Sequence, residues 1–372
     1  MRLLIVGGGP AALATARAYR EAGGNGDVTL LTRELSVPYT RPSLSKEYLR
    51  GERDDDDLPI ERAEWYARTS VEVRFGAEVE TLDPDARTLV LGSGETLHYD
   101  ACVLATGAVP ASLPVPGATE EWVLTLRSLT SARVLRDRAA SATTAVVIGS
   151  GFIGCEAAAS LTMRGMSVTL ISDEPVPQAG RLGDEVGGRI AAWLDELGVT
   201  LRLGTAVEEI RDDADLTLMA AGVTPCAGLG ETAGLATENG RIVVDEQMRT
   251  SRDGIYAAGD VVFARNAAAQ RHLAVEHWGE ALNMGAVAGR TIAGEPAQWD
   301  VAPGFWSTIG EHTLKYVAWG DGFDEARFVE HGNGAWTIWY GAEGRTVGVL
   351  THDRDEDYDT GRELVETGAP LP

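Results

Sequence analysis

The sequence predicts an α/β protein made of two tandem Rossmann-like nucleotide-binding domains and a small C-terminal α+β domain. Three observations predict this. A glycine-rich turn joins a buried apolar run to a helical pattern near the start of the chain, and the same unit recurs from residue 145. After Pro303 the pattern changes to short strand-length runs.

Taken in order, Leu3-Leu4-Ile5-Val6 is a buried-strand run, Gly7-Gly8-Gly9-Pro10 turns the chain, and Ala11 to Ala22 is a helix with small residues on one side. Asp27 to Leu31 is the second parallel strand. A hairpin is expected over Glu78 to Leu97 and a strand over Ala101 to Ala105. Pro110, Pro114 and Pro116 then mark a crossing into another domain. There Ala145 to Ile148 is a strand, Gly149 to Gly154 the turn, Cys155 to Met163 the helix and Ser167 to Ile171 the partner strand. Arg241 to Asp245 and Gly254 to Asp260 follow, and a long helical pattern runs from Val275 to Ile292. In the tail, strands are expected at Leu314 to Trp319, Ala326 to Val329, Ala335 to Tyr340 and Thr346 to Leu350. The expected domains are 1–110 with 237–302, then 111–236, then 303–372. The acidic run from Arg53 to Asp57 is expected to be a solvated loop.

Composition narrows the function. Glycine, 44 of 372 residues, exceeds the roughly 7% of ordinary proteins, as tight turns and close backbone approach to a ligand require. The net charge of −24 repels phosphate backbones and anionic membranes, which disfavours nucleic acid as a partner. No apolar run is long enough to span a bilayer, and the strand-like Arg2 to Val6 leaves no room for a signal peptide. A reducing cytoplasm is expected. Cys102, Cys155 and Cys226 form no CxxC pair, which argues against a disulfide framework, structural zinc or an iron–sulfur cluster. His98, His272, His277, His312, His331 and His352 lack metal-ligand spacing.

The chemistry lies in the turns. In Gly7-x-Gly9-x-x-Ala12, Gly7 permits the turn, Gly9 lets the backbone approach a pyrophosphate, and Ala12 keeps the helix close to the sheet. The positive end of the helix then faces the diphosphate. Gly149-x-Gly151-x-x-Gly154 repeats the arrangement, and two copies favour ligand binding over a purely structural turn. Glu34, after the second strand, can accept hydrogen bonds from a ribose. The second unit has Ser172 at that place, followed by Asp173. A strand-end carboxylate would favour NADH by repelling a 2′-phosphate, and no arginine beside Ser172 favours NADPH, so both nucleotides stay open.

Arg41-Pro42-Ser43-Leu44-Ser45-Lys46 resembles the signature of FAD-dependent ferredoxin and rubredoxin reductases that serve oxygenases, a family sharing its superfamily with apoptosis-inducing factor. The resemblance continues through Ala105-Thr106-Gly107, Gly149 to Glu156, Ala257-Ala258-Gly259-Asp260, Val275-Glu276-His277-Trp278 and Phe305-Trp306-Ser307. It implies a glutathione reductase-type architecture, with FAD on the first turn (Gly7, Gly9, Pro10, Ala11, Ala12) and NADH or NADPH on the second (Gly149, Gly151, Phe152, Ile153, Gly154, with Ala221 and Gly222).

The resemblance also assigns roles. Arg41 pairs with the flavin diphosphate, Arg127 lies near FAD, the backbone of Val79 contacts adenine, and Asp260 holds the ribityl and diphosphate region. The helix starting near Glu276 aims its N–H groups at the flavin N1 and C2 carbonyl. Lys46 sits beside N5, held by Glu156, and Trp306 approaches the isoalloxazine from the tail. Lys46 and Glu156 could instead be only a salt bridge between domains, and Trp306 only an interface tryptophan.

The implied activity is hydride transfer from NAD(P)H to the flavin, then electron delivery to a ferredoxin-like protein, by a monomer or homodimer. A small-molecule acceptor, or a redox-sensing role, is the alternative. The sequence departs from the signature at Thr40, Ser43 and Thr308-Ile309. No cysteine precedes Ala101, which disfavours disulfide and peroxide reduction at the flavin.

Overall fold

Two five-stranded parallel sheets organise the chain, and the computed structural model describes residues 1–372. In the first sheet the spatial order is Ile255–Ala257, Ala101–Leu104, Arg2–Val6, Asp27–Thr32, Val71–Phe75. In the second it is Thr200–Arg202, Ser167–Ile171, Thr144–Ile148, Leu216–Met219, Val123–Leu124. Each sheet has its glycine-motif strand at the centre, where strand order reverses and a crevice opens at the carboxyl ends. The chain is an α/β fold with sheets of Rossmann type, followed by a C-terminal unit.

Both turns form for steric reasons. Gly7 and Gly149 have φ of 141° and 104°, which a side chain rarely tolerates. A Cβ on Gly7 would lie 2.1 Å from the Ala105 carbonyl oxygen, and one on Gly149 2.5 Å from that of Ala220. Each turn therefore presses against the neighbouring strand's exit. The helices that follow span Pro10–Glu21 and Phe152–Met163, the second beginning three residues before the expected Cys155.

A second close approach fixes the first lobe. Helix Trp278–Ala293 crosses Pro10–Glu21 at backbone contact: a Cβ on Gly285 would meet the Ala11 carbonyl oxygen at 2.3 Å, and one on Gly289 the Thr15 carbonyl oxygen at 2.3 Å. The Gly285-x-x-x-Gly289 spacing puts both glycines on one face.

The expected hairpin over 78–97 is a three-stranded antiparallel sheet of Val79–Asp83, Thr88–Leu91 and Thr96–His98. The crossings between the two parallel sheets pair with each other, Ala108–Pro110 running antiparallel to Val223–Pro225. The C-terminal unit is an antiparallel sheet ordered Gly304–Ile309, His312–Ala318, Arg345–His352, Ala335–Ala342, Glu325–Gly332, with helix Asp355–Thr367 packed on it. Sequence patterns miss the first of these strands and the helix. The three acids Asp355, Glu356 and Asp357 that make the tail so negative form that helix's first turn, where they favour the dipole.

The acidic run is solvent-exposed, as expected, but it is more ordered than a plain loop. Asp55–Asp57 forms a 3-10 turn with a capping box between Asp54 and Asp57. Asp55 bonds Tyr48 Oη at 2.7 Å and pairs with Arg133 at 2.7 Å, while Asp54 pairs with Arg136 at 2.8 Å. Cations on helix Leu129–Ala139, which the patterns also miss, thus pin the run.

The cores are not separate. Leu44, Tyr48 and Leu49 join Leu129, Ala157 and Leu161 of the second lobe and Leu314, Trp336 and Tyr340 of the C-terminal sheet in one apolar cluster. No helix is long and apolar enough to cross a membrane. Gly285→Val is expected to destabilise the protein by about 1–3 kcal/mol through overpacking. The shift of the urea midpoint measures this, and an unchanged midpoint would refute the backbone contact.

Candidate active site

A cavity of about 990 Å³ runs from the first glycine turn to the second. Its wall contains Gly7, Gly9, Pro10 and Ala11, Glu34 and Arg41, Lys46, Val79, Ala105 to Gly107, Arg127, Gly259 and Asp260. Glu276, His277 and Trp278, Gly151 to Ile153, Glu156, Gly222 and Trp306 complete the predicted set that it brings together.

Other predicted residues lie outside this wall. Ala12 is fully buried beneath the turn, and Gly149 and Gly154 face each other, a Cβ on Gly154 falling 2.0 Å from the Gly149 carbonyl oxygen. Ala221 packs against the Ala118, Ile148 and Met219 cluster. Ser172 is buried and Asp173 is exposed, and neither lines the cavity. Gln178, Arg181 and Cys226, which no motif marks, line it instead, as does Phe305, which the Phe305-Trp306-Ser307 segment contains but to which the sequence assigns no role.

The first turn fits a dinucleotide. A Cβ on Gly9 would meet nothing within 4 Å, so the backbone there is open to a ligand. Gly9 is also the N-cap of helix Pro10–Glu21 and supplies no side-chain cap, which leaves the first-turn N–H groups unsatisfied within the helix. Helix Trp278–Ala293 presents a second such end, beginning two residues after Glu276 with His277 at its N-cap. Its third residue, Glu280, does not reach back to cap it. That buried carboxylate accepts from Trp299 Nε1 at 2.8 Å, and burial raises its pKa.

Polar side chains ring the cavity in a connected set. Glu34 accepts from Tyr39 Oη and from Arg41 Nη2, each at 2.6 Å. Arg41 Nη1 donates to the Arg127 carbonyl at 2.7 Å, and the Arg127 guanidinium pairs with Asp260. Burial works against the Arg41 charge, but Tyr39 and Glu34 outweigh it and hold the pKa above its ordinary value. With five N–H donors, Arg41 keeps spare ones for a phosphate. Glu276, at the cavity wall, is paired with Arg241.

The Lys46 ammonium and Glu156 carboxylate, 5% exposed each, meet at 2.8 Å. Ser45 Oγ donates to the same Glu156 oxygen, Oε2, and Ser307 Oγ to the other, at 2.8 Å. Strand alternation explains the last contact: Phe305 and Ser307 point inward while Trp306, 47% exposed, stands at the rim. The Phe305 ring lies 4.7 Å from those of Phe152 and His277. Burial, with Arg181 adding to it, pushes His277 down to about 3, and its Nδ1 has no partner.

The three thiols are unpaired. Burial pushes Cys102 up to about 12 and raises Cys155 as well, so neither offers a thiolate at neutral pH.

Glu156→Ala leaves Lys46 as a buried unpaired charge and is expected to cost about 3–5 kcal/mol. Denaturant unfolding tests this, and a loss below about 1 kcal/mol would show the pair to be solvated. His277 is neutral folded and unfolded above its unfolded pKa of about 6.5. As pH falls from there toward about 3, the unfolded chain gains a proton that the folded site refuses, so stability is lost across that window. His277→Asn should flatten this acid limb, measured as urea stability at pH 7 and pH 5. An unaltered limb would contradict it.

Known proteins give the arrangement a lineage. Residues 1–285 match the family model described as pyridine nucleotide-disulphide oxidoreductase. The chain is 32% identical over 386 residues to the ferredoxin reductase component of chlorobenzene dioxygenase from Cupriavidus sp. (strain PS12), covering 99% of this chain and 93% of that protein. The ferredoxin reductase for the CYP199A2 system from Rhodopseudomonas palustris superposes with a TM-score of 0.94 at 28% identity, over 99% of this chain and 95% of that one. Putidaredoxin reductase, solved in a covalent complex with putidaredoxin, gives 0.93 at 28% identity, over 99% and 94%. With two glycine turns facing one cavity and a family model covering most of its length, the chain belongs to the pyridine nucleotide-disulphide oxidoreductase family.

Proposed function

We propose that the protein is an FAD-dependent NAD(P)H oxidoreductase that passes electrons to a ferredoxin-like iron–sulfur protein. One observation carries this reading: a single cavity reaches both glycine turns and has Lys46, Glu156 and a helix N-terminus between them. The names of the similar reductases and the putidaredoxin complex support the acceptor. On this reading residues 1–110 and 237–302 hold FAD, 111–236 hold NAD(P)H, and 303–372 form the C-terminal domain of a glutathione reductase-type architecture.

When bound, FAD takes a hydride from NAD(P)H and releases single electrons to the acceptor. The chain supplies geometry and charge. Gly9 and Gly151 let the backbone approach the two diphosphates, and Arg41 offers its spare N–H donors to the first. The N–H groups of Trp278, Gly279 and Glu280, unsatisfied within their helix, stabilise negative charge developing at that end of the cavity. Lys46 adds a cation held in one direction by Glu156 and excluded from bulk water. Phe305 and Phe152 wall the site against water, while Trp306 gives the rim an exposed aromatic face.

The departures from the signature after Trp306 are absorbed locally. Ile309 is fully buried, and Thr308 Oγ1 bonds Thr313 Oγ1 at 3.0 Å, so neither reaches the cavity.

Anaerobic mixing of the FAD-loaded protein with NADH and with NADPH tests the reading. At least one should bleach the flavin absorbance, and a ferredoxin should restore it. Failure of both nucleotides would overturn the oxidoreductase, and reoxidation by organic acceptors alone would overturn the iron–sulfur partner.

A further inference from the structure

We infer that Glu174, rather than the residue at the strand end, reads the ribose of the nicotinamide dinucleotide and makes the protein select NADH over NADPH. The inference rests on the NAD(P)H-dependent reading above and adds the identity of the nucleotide. In a Rossmann unit the adenosine ribose lies between the glycine turn and the end of the second strand, where a carboxylate binds its hydroxyls and repels a 2′-phosphate. Strand Ser167–Ile171 ends here on Ser172, which carries no charge.

Ser172 is not free to contact a ligand. Its side chain is buried, shares a hydrogen bond of 2.7 Å with Ser150 Oγ, and accepts from the Glu174 backbone N–H at 3.2 Å. Asp173, next in sequence, is exposed and makes no hydrogen bond back to the turn. Glu174 does. Its Oε2 lies 3.1 Å from the hydroxyl of Ser150, the middle residue of the Gly149-Ser150-Gly151 turn.

Backbone N–H groups hold that carboxylate in place. Gln178 N donates to Oε2 and Gly180 N to Oε1, each at 3.1 Å. Every donor is neutral and no cation pairs with Glu174, so its charge is not cancelled. With about four acceptor sites on a carboxylate, these three donors leave room for a ribose hydroxyl. Beside it the way is open: a Cβ on Gly151 would meet only Gln178 Nε2, at 3.7 Å.

Two arginines could oppose this selection. Arg181 follows Gly180, but it lines the main cavity and its charge acts on His277 and Tyr316. Arg202 ends the flanking strand, where its carbonyl accepts from Ser172 N at 3.0 Å, and its exposed side chain has no carboxylate partner. Arg202 is therefore the competing reader of a 2′-phosphate. The fixed carboxylate over the turn outweighs a solvated guanidinium that no protein group holds in place.

The experiment compares kcat/KM for NADH and NADPH in the FAD-loaded wild type, Glu174→Gln and Arg202→Ala. In parallel, calorimetry measures the binding of ADP-ribose and of its 2′-phosphorylated form, which need no redox step. Gln keeps one acceptor oxygen for the loop, and thermal unfolding checks that E174Q remains folded. The wild type should favour NADH and ADP-ribose by roughly tenfold or more, as expected for a like-charge repulsion at partial exposure. E174Q should bring both ratios toward one, and R202A should leave them unchanged. Equal use of the two nucleotides, a preference for NADPH, ratios that survive E174Q, or ratios that move with R202A would overturn the inference with the oxidoreductase reading intact. Should neither nucleotide reduce the flavin, that reading falls, and the fragment calorimetry still decides the role of Glu174.

Discussion

Both oxygens of the Glu156 carboxylate are occupied, and their donors come from different parts of the chain. Ser45 and Lys46 belong to the loop after the first nucleotide unit, Glu156 to the helix of the second, and Ser307 to the first C-terminal strand. A buried ion pair gives little net stability against an apolar replacement, because desolvation offsets most of the attraction. What it gives here is position. The surrounding contacts repeat the theme: Ser160 Oγ donates to the Ser45 carbonyl at 2.7 Å and Arg164 to the Leu49 carbonyl at 2.6 Å. The loop that carries Lys46 is thereby fastened along one side of helix Phe152–Met163, and the shared apolar cluster follows from that docking.

The cavity is consequently framed by hydrogen bonds and ion pairs within the chain itself. Glu34, Arg41, Arg127 and Asp260 link the end of one strand to a loop, a crossing segment and the strand that closes the first sheet. The glycine contact between helices Pro10–Glu21 and Trp278–Ala293 sets the separation of the two helix ends that face the cavity. Charged groups in such a ring lose little freedom when a ligand binds, and this is how a rigid site gains affinity and orientation.

Much of this was legible in the sequence, and the reasons are local. A strand, a glycine turn and a helix announce themselves because sterics leave few alternatives at Gly7 and Gly149. The loop residues were harder. Ser172 occupies the expected place, but the side chain that returns to the glycine turn is Glu174, and a bend of two residues is invisible to spacing rules. Gln178 holds a left-handed conformation, with φ of 61°, that nothing in its type announces. Phe305 was hidden beside Trp306, since only strand alternation decides which of the two faces inward. The run from Arg53 to Asp57 is exposed as its composition suggests, but its order was not legible, because its counter-charges, Arg133 and Arg136, lie on a helix far along the chain.

The parallel pairing of Ile255–Ala257 with Ala101–Leu104 carries a consequence for how the chain is made. The first sheet lacks its edge until residues 105–254 have left the ribosome, so the earliest strands emerge with one side unpaired. An exposed parallel edge is prone to mispairing and closes slowly, because a long loop must be ordered first. The second sheet has no such delay, as its strands all fall between Val123 and Met219. Synthesis thus favours an order in which the inserted lobe folds before the lobe that encloses it. The antiparallel strands Ala108–Pro110 and Val223–Pro225 then bring the two ends of the insertion together, shortening the distance over which the waiting edge must find its partner.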